Sequence, residues 1–319
     1  MKWILSLLIF VIVSCLLVAS PVEAGSGLYL SSELGANFAS GLDNFSRDDD
    51  RASKCDEYIN PYFAMVPGCT DPVHGGDASK AVYDGAKGIL AGAAVGYRLK
   101  DAYPGRFWGG FRVEMEYFFR ESEYDQSVTS AATRAQTIAK RLGETALSAK
   151  SVGSITSHNL FGNVFFDWIN GSRFTPYVGF GIGVGFTAMD WNSMNARNSD
   201  PTAITSIPDD LCNGISGCDV NEIRRNLAGT TTTEQTVLKD TLFGWQVLFG
   251  VDYALTESAS LGVKGRWVNF NTFRDGGSWD RLRSHESNLR LDGSEPVTYR
   301  LMTDDIDFFG ISLNLKYHF

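Results

Sequence analysis

The chain is poor in basic residues. Lysine and arginine number 28 against 37 acids in 319 residues, a formal charge of −9. A nucleic-acid-binding surface needs a basic face, so that class of function is excluded. Beyond the first 24 residues no apolar run approaches the roughly 20 residues of a membrane-spanning helix. With only four histidines and five cysteines, the nitrogen and sulfur ligands of a zinc site are scarce. Apolar side chains are not scarce. They make up 44% of the chain, with 13% aromatic, too many for a disordered polypeptide.

The first residues read as an export signal. Lys2 supplies a positive charge, Ile4 to Val18 are almost continuously apolar, and Val22 and Ala24 sit at the −3 and −1 positions of a cleavage site. The expectation is a signal peptide over 1–24 and a mature barrel domain over 25–319. A lipid-attachment reading of Ile12-Val13-Ser14-Cys15 competes with it, but the apolar core runs on through Leu16, Leu17 and Val18. Export implies an oxidising compartment. The remaining cysteines, Cys55, Cys69, Cys212 and Cys218, then pair most simply as Cys55–Cys69 and Cys212–Cys218. Zinc is the rival, with His74 the one histidine near either pair.

The mature chain alternates between two textures: strict two-residue periodicity, and long polar stretches. In 107–119 the odd positions Phe107, Phe111, Val113, Met115, Tyr117 and Phe119 are apolar, while Arg112, Glu114 and Glu116 lie opposite. In 304–319, Phe309, Ile311, Leu313, Leu315, Tyr317 and Phe319 oppose Ser312, Asn314, Lys316 and His318. Eight such segments are expected, at about 27–40, 86–99, 107–121, 153–169, 174–190, 241–255, 259–273 and 304–319. Each reaches the roughly 9–11 residues a tilted strand needs to cross a bilayer.

A water-soluble β-sandwich would alternate too. The connections separate the two. Long stretches at 41–85, 122–152, 191–240 and 274–303 take strict turns with short ones at 100–106, 170–173 and 256–258. In an up-and-down barrel all long loops then fall at one rim and all short turns at the other, the asymmetry of outer-membrane barrels. The expected fold is therefore all-β: an eight-stranded antiparallel transmembrane barrel with four long extracellular loops and three short periplasmic turns. Lipid leaves no water to satisfy a free strand edge, so the sheet must close. Tyr97, Phe107, Trp168 and Tyr253 toward the turns, and Tyr117, Phe119, Phe243 and Trp245 toward the loops, would form the two aromatic girdles.

On these residues the sequence resembles the eight-stranded outer-membrane barrel family of opacity-type, porin-like proteins and bacterial surface antigens. The C-terminal strand ending in Tyr317-His318-Phe319 looks like that family's signal for the barrel-assembly machinery. Pro176-Tyr177-Val178-Gly179-Phe180-Gly181-Ile182-Gly183 looks like its fifth strand. The resemblance implies a Gram-negative outer-membrane location, with loops outside and both mature termini in the periplasm. It stops at the loops.

Parity turns Glu33, Glu114, Glu116, Asp167 and Asp252 inward, against Arg98, Arg112, Lys264, Arg266 and Lys316. Eight strands leave room only for side chains, so an ion-pair network that fills the bore is expected; a narrow ion path is the alternative. The ladder Gly179, Gly181, Gly183, Gly185 would make room for long arginine and glutamate side chains from across the barrel. Its spacing is not a nucleotide-binding fingerprint.

No catalytic residue is assigned. Ser157 and His158 diverge by parity, and Ser284-His285-Glu286 has the residue types of a triad but no framing motif. Arg47-Asp48-Asp49-Asp50-Arg51 reads as a solvated charge run rather than a calcium loop. No cofactor and no metal site are expected. The 129–150 stretch, rich in alanine and bases, could form a short helix.

The long loops are acidic and sit on a rigid scaffold, where binding residues usually lie. The expected function is a non-enzymatic surface protein. Its partners would be outer-membrane lipid and lipopolysaccharide, the assembly machinery, and a host or extracellular ligand at the loops. A small diffusion pore and a lipid-modifying enzyme are the alternatives.

Overall fold

An extended chain puts successive side chains on opposite faces, and strands form here wherever the sequence sustains that alternation. In chain order they are β1 (Leu28–Ala39), β2 (Leu42–Asp48), β3 (Ala78–Tyr83), β4 (Ala86–Arg98), β5 (Gly110–Thr129), β6 (Ala131–Ala132), β7 (Thr145–Asp167), β8 (Phe174–Arg197), β9 (Thr231–Ala254), β10 (Ala259–Trp279), β11 (Leu282–Ser284) and β12 (Val297–His318). This computed structural model describes residues 27–48, 60–67, 78–99, 110–135, 138, 142–169, 172–279, 282–284 and 297–319.

Eight strands close a ring. β1 pairs β4, the order continues β5, β7, β8, β9, β10, β12, and β12 pairs back onto β1, with every pairing antiparallel. The outer wall carries the hydrocarbon stripe. Leu34, Val95, Phe111, Met115, Leu160, Val164, Phe180, Ile182, Phe243 and Leu313 are between 44% and 61% exposed. A monomer in water rarely exposes an apolar patch beyond a few hundred Å²; a belt around the whole cylinder is satisfied only by acyl chains. A sandwich would have buried these side chains against a second sheet. The structure is thus an eight-stranded transmembrane barrel of the outer-membrane type. Tyr97 and Trp168 at the turn end, and Tyr117 and Phe243 toward the loop end, stand exposed at the edges of the belt. Phe107 lies outside the described residues.

The strands run well past the expected limits. β7, β8 and β9 have 23, 24 and 24 residues. At about 3.3 Å per residue and a tilt near 40°, such a strand rises roughly 55 Å, against an apolar band of about 25 Å. Much of what reads as loop at 41–85, 122–152, 191–240 and 274–303 is therefore barrel wall. β1 and β2 act as one strand with a break at Ser40–Gly41: both pair β12 in one register, Ala39 opposite Phe308 and Asn44 opposite Thr303. β3 and β4 do likewise around Asp84–Gly85, with Leu42 opposite Tyr83 and Ala39 opposite Ala86. Glycine is needed at this pinch, since a Cβ on Gly41 would lie 2.8 Å from the Tyr83 carbonyl oxygen and one on Gly85 2.7 Å from that of Ala39. The 129–150 stretch is strand at both ends. Between them, the Ile138 N–H bonds to the Arg134 carbonyl (2.8 Å) and the Leu142 N–H to that of Ile138 (3.1 Å), the spacing of helical turns.

Two seams interrupt the upper wall. β4 leaves β5 after Lys87–Glu123, and β3 meets β6 only at Ser79–Ala132 and Lys80–Ala131. Across the gap the Gln126 side-chain amide stands in for a strand, accepting from the Asp84 N–H (2.7 Å) and donating to its carbonyl (3.1 Å). Asp125, with φ 44°, makes the bulge that turns Gln126 there. β9 leaves β10 above Gly244–Phe270. There Asn271 takes the Phe243 N–H (3.0 Å), Asp240 that of Arg274 (2.8 Å) and Asp275 that of Lys239 (2.8 Å). Side chains thus supply acceptors for N–H groups that the missing ladder would leave unpaired.

Candidate functional site

The bore has two storeys of different chemistry. In the turn-end half, Glu116 is fully buried and is the hub of the charges. Its Oε1 receives Lys264 Nζ (2.7 Å) and Arg266 Nη2 (2.9 Å), and its Oε2 receives Asn163 Nδ2 and Gln246 Nε2 (both 3.0 Å). Glu33 shares both cations: Lys264 approaches its Oε2 at 2.8 Å, Arg266 pairs with its Oε1, and Ser312 Oγ donates to Oε2 at 3.0 Å. A second cluster lies nearer the turns. Arg112 Nε is 3.1 Å from Asp167 Oδ1, close enough for ion pairing but off the hydrogen-bond axis, and Arg112 Nη1 is 3.6 Å from Asp252 Oδ2. Lys316 also pairs with Asp252, and Arg98 Nη2 reaches Asp167 at 3.7 Å from the rim. Tyr29 donates to Glu114 Oε2 (2.8 Å). All ten ionisable residues singled out in the sequence lie in these clusters. Arg98 alone is substantially open, with 42% of its side chain exposed at the mouth.

Sequence reasoning missed the aromatic part of this lining. The Arg112 guanidinium lies 4.2 Å from the Phe165 ring centroid and 4.5 Å from that of Tyr177, and Arg266 lies 4.3 Å from Phe118. Such faces offset part of the desolvation of a buried cation. Their signal was present as parity, since Phe118, Phe161 and Phe165 fall on the inward register of their strands. The glycine ladder also needs correction. A Cβ on Gly179 would strike Phe165 (2.4 Å), on Gly181 the Asn163 Oδ1 (1.9 Å), and on Gly183 the Phe161 ring (2.6 Å). The glycines make room for aromatic and amide side chains of the adjacent strand β7, not for arginine and glutamate from across the bore.

The loop-end half is filled mainly with hydrocarbon, with Asn44, Ser148 and Lys150 buried beside it. Leu42, Tyr83, Leu90, Val152, Ile155, Phe161, Met189, Trp191, Leu238, Leu242, Phe270, Phe273, Leu301, Ile306 and Phe308 form one buried cluster. The bore is therefore occupied twice, by ions and then by apolar packing. Above it, residues 198–230 build a small cap. Its helix α1 (Val220–Leu227) is N-capped by Asp219, whose carboxylate accepts from the Asn221 N–H (2.8 Å). Ile204, Ile207, Ile223 and Leu227 are its fully buried core, and Cys212–Cys218 is disulfide-bonded beside them. Tyr62 donates to Glu222 (2.7 Å), tying the segment between β2 and β3 to the helix.

The remaining candidates are dispersed. Ser157 is buried inside the barrel, whereas His158 is exposed outside it, its Nδ1 2.8 Å from the Tyr117 hydroxyl. At the turn-end mouth, a recess of about 310 Å³ is lined by Arg98, Asp252, Glu257, Ser260 and His318. Tyr317 packs edge-on to Phe319 (5.1 Å) where β12 ends. Cys55, Cys69, His74, His285, Glu286 and Asp49 to Arg51 lie outside the described residues, as does the side chain of Ser284. Among the described residues no group of His, Cys, Asp and Glu has the arrangement of a metal site.

No family model and no curated protein matches the chain. Among solved structures it is similar to Neisserial surface protein A, NspA, at 12% identity and a TM-score of 0.41, over 92% of this chain and 98% of that one. It is also similar to the outer membrane protein OprG of Pseudomonas aeruginosa, at 12% identity and 0.38, over 93% and 100%. A more distant likeness, at 9% and 0.21 over 94% and 92%, is to the TodX monoaromatic hydrocarbon channel.

Proposed function

We propose that the protein is a non-enzymatic surface protein of the bacterial outer membrane, with its loop end outside and both mature termini in the periplasm. The barrel anchors it and supports the envelope; the wall and cap above the lipid make the external contacts. The observation that carries this reading is the double filling of the bore. A pore has to leave water a path, and here Glu33, Glu116, Lys264 and Arg266 close one level while Phe161, Phe270 and Phe308 close another. The raised structure fits an external role, because strands twice as long as lipid requires serve to hold something away from the membrane. The contacts would be with lipopolysaccharide beside the wall and with an extracellular or host ligand at the cap. Tyr317 and Phe319 would engage the assembly machinery during insertion. Cys55 and Cys69 would form a second disulfide in the acidic first loop.

Two measurements test this. Refolded protein in planar bilayers is expected to give no stable conductance; reproducible steps would replace the anchor reading with a diffusion pore. Cells displaying the intact protein are expected to bind host-cell surfaces or matrix better than cells displaying a version with 199–229 replaced by a short turn. Equal binding would remove the cap from the function. Unaltered lipid A masses in expressing cells would accompany both results; a new mass would indicate a lipid-modifying enzyme.

A further inference from the structure

The ionic storey balances without Arg120. Glu33, Glu114, Glu116, Asp167 and Asp252 are matched by Arg98, Arg112, Lys264, Arg266 and Lys316. Arg120 is a sixth base on the inward face of β5, one of the largest fully buried side chains in the barrel at 1% exposure. It makes no salt bridge among the described residues. Its Nε donates a long bond to Ser157 Oγ (3.3 Å), its guanidinium carbon lies 4.3 Å from the Phe308 ring centroid, and its Nη1 has no partner. Asp307 is within electrostatic reach but sits half-buried on the outer side of β12, where it holds the Ser40 hydroxyl (2.9 Å).

Arg120 does not stand alone. Cross-strand register puts Arg120 opposite Ser157 on β7, and Ser157 opposite Thr187 on β8. The three form one row on the inside of three adjacent strands, with Ser157 at 0% and Thr187 at 3% exposure. Ser157 Oγ already accepts twice, from Arg120 Nε and from Asn159 Nδ2 (3.0 Å), so its own hydroxyl hydrogen is left to donate. Thr187 Oγ1 is buried with no partner. Asn159 presents its amide nitrogen to Ser157, which turns its oxygen away. The row therefore gathers a guanidinium N–H and two hydroxyls on buried positions; the acceptors beside them, Thr187 Oγ1 and Asn159 Oδ1, are unpartnered but carry no charge to offset the guanidinium.

A buried guanidinium without a counter-charge is strongly unfavourable in low dielectric, as are buried donors left unsatisfied. Water could take the hydrogen bonds but not the charge. We propose that Arg120, Ser157 and Thr187 bind a small monovalent anion of the halide class inside the barrel, at the junction of its ionic and apolar storeys. The anion would neutralise Arg120 and accept from all three residues. Burial among Phe308 and its neighbours favours a weakly hydrated, compact ion over a bulkier carboxylate.

The mature protein, refolded into detergent micelles, tests this by its thermal midpoint in sodium chloride, sodium bromide and sodium gluconate at equal ionic strength. Midpoints are expected to be higher in the two halides and to climb with the logarithm of halide concentration, as for any ligand bound only by the native state. Thr187→Val, which keeps shape and removes one donor, should shrink the halide shift, and Arg120→Met should abolish it. Crystals grown in bromide should show an anomalous peak beside Arg120. Equal midpoints in halide and gluconate would overturn the proposal and leave water in the row. So would an undiminished halide shift in Thr187→Val together with bromide found only on the outer surface, an adventitious ion only. Thr187→Val keeps the test decisive if Arg120→Met fails to fold.

Discussion

Toward the turns, the barrel keeps charge inside and hydrocarbon outside; toward the loops, the same strands do the reverse. β5 shows the change within one element. Arg112, Glu114 and Glu116 point inward and Val113, Met115 and Tyr117 outward; a few residues on, Tyr124 is the inward residue and Glu121 and Glu123 face out. β8 crosses over in the same way, from outward Phe180 and Ile182 to inward Met189 and Trp191 with Asp190 outside. Strand geometry is unchanged across the boundary. The solvent against the outer wall differs, and each half adopts the interior that its outside permits. In lipid the hydrophobic effect gives no reward for moving hydrocarbon inward, so the bore can hold ions and amides that satisfy one another. In water the ordinary rule returns, and apolar side chains fill the middle.

That contrast can be broken most sharply at Glu116. Glu116→Ala leaves Lys264 and Arg266 buried with only Glu33 between them and is expected to cost about 3–5 kcal/mol in urea unfolding from lipid vesicles. Adding Lys264→Met to it should return part of that loss; a double variant as unstable as the sum of the singles would show that the hub is not a coupled unit. In the other storey, Phe270→Ala removes a ring packed edge-on to Phe161 (5.9 Å) and should cost a similar 3–4 kcal/mol or so as a cavity. Its cost should not change when Glu116 is altered; strong coupling would merge the two halves into one core. Gly181→Ala presses a methyl group into Asn163, itself a ligand of Glu116, and is expected to cost about 1–3 kcal/mol, relieved by Asn163→Ala.

Smaller effects belong to the cap. Cys212→Ser should withdraw about 2 kcal/mol from the cap alone. Limited proteolysis within 198–230 should quicken while the barrel's melting temperature holds; a falling barrel midpoint would mean that the cap braces the wall. Last is Asp200, whose carboxyl is held below the usual range because the Thr202 N–H (2.9 Å) and hydroxyl (2.8 Å) donate to it. A depressed carboxylate stabilises the fold above its unfolded value and stops doing so as pH falls through its folded one. The protection factor of the Thr202 amide, corrected for the intrinsic pH dependence of exchange, should therefore fall in acid, and Asp200→Asn should flatten that dependence.

These halves were unequally legible in the sequence. The outward stripe at Phe111, Val113, Met115 and Tyr117, and the charges facing it, are readable because lipid-facing and bore-facing residues differ in kind. The expected strand ends at 121, 190, 241, 273 and 304 fall close to where the pattern inverts. Past those points Glu121, Asp190 and Asp305 occupy the outer face, and a search for an apolar outside stops there. The alternation continues in opposite phase, and by sequence the upper wall reads as loop. The site divides the same way. Parity assigned the ten charged residues to the interior. It could not say that Lys264 and Arg266, both on β10, would share Glu116 on β5 with Glu33 on β1, because those partners meet across the bore.

The sequence alone determined the number of membrane-crossing strands, their inward and outward faces, and which end carries the long connections. These follow from period-two side-chain direction and the distance between turns, both local properties of the chain. Only the closed ring decided how far the wall rises, that hydrocarbon fills its upper bore, that side chains bridge its two seams, and that Arg120 is left without a counter-charge. Each of these depends on which residues a cylinder brings face to face across its interior, and no local spacing encodes that.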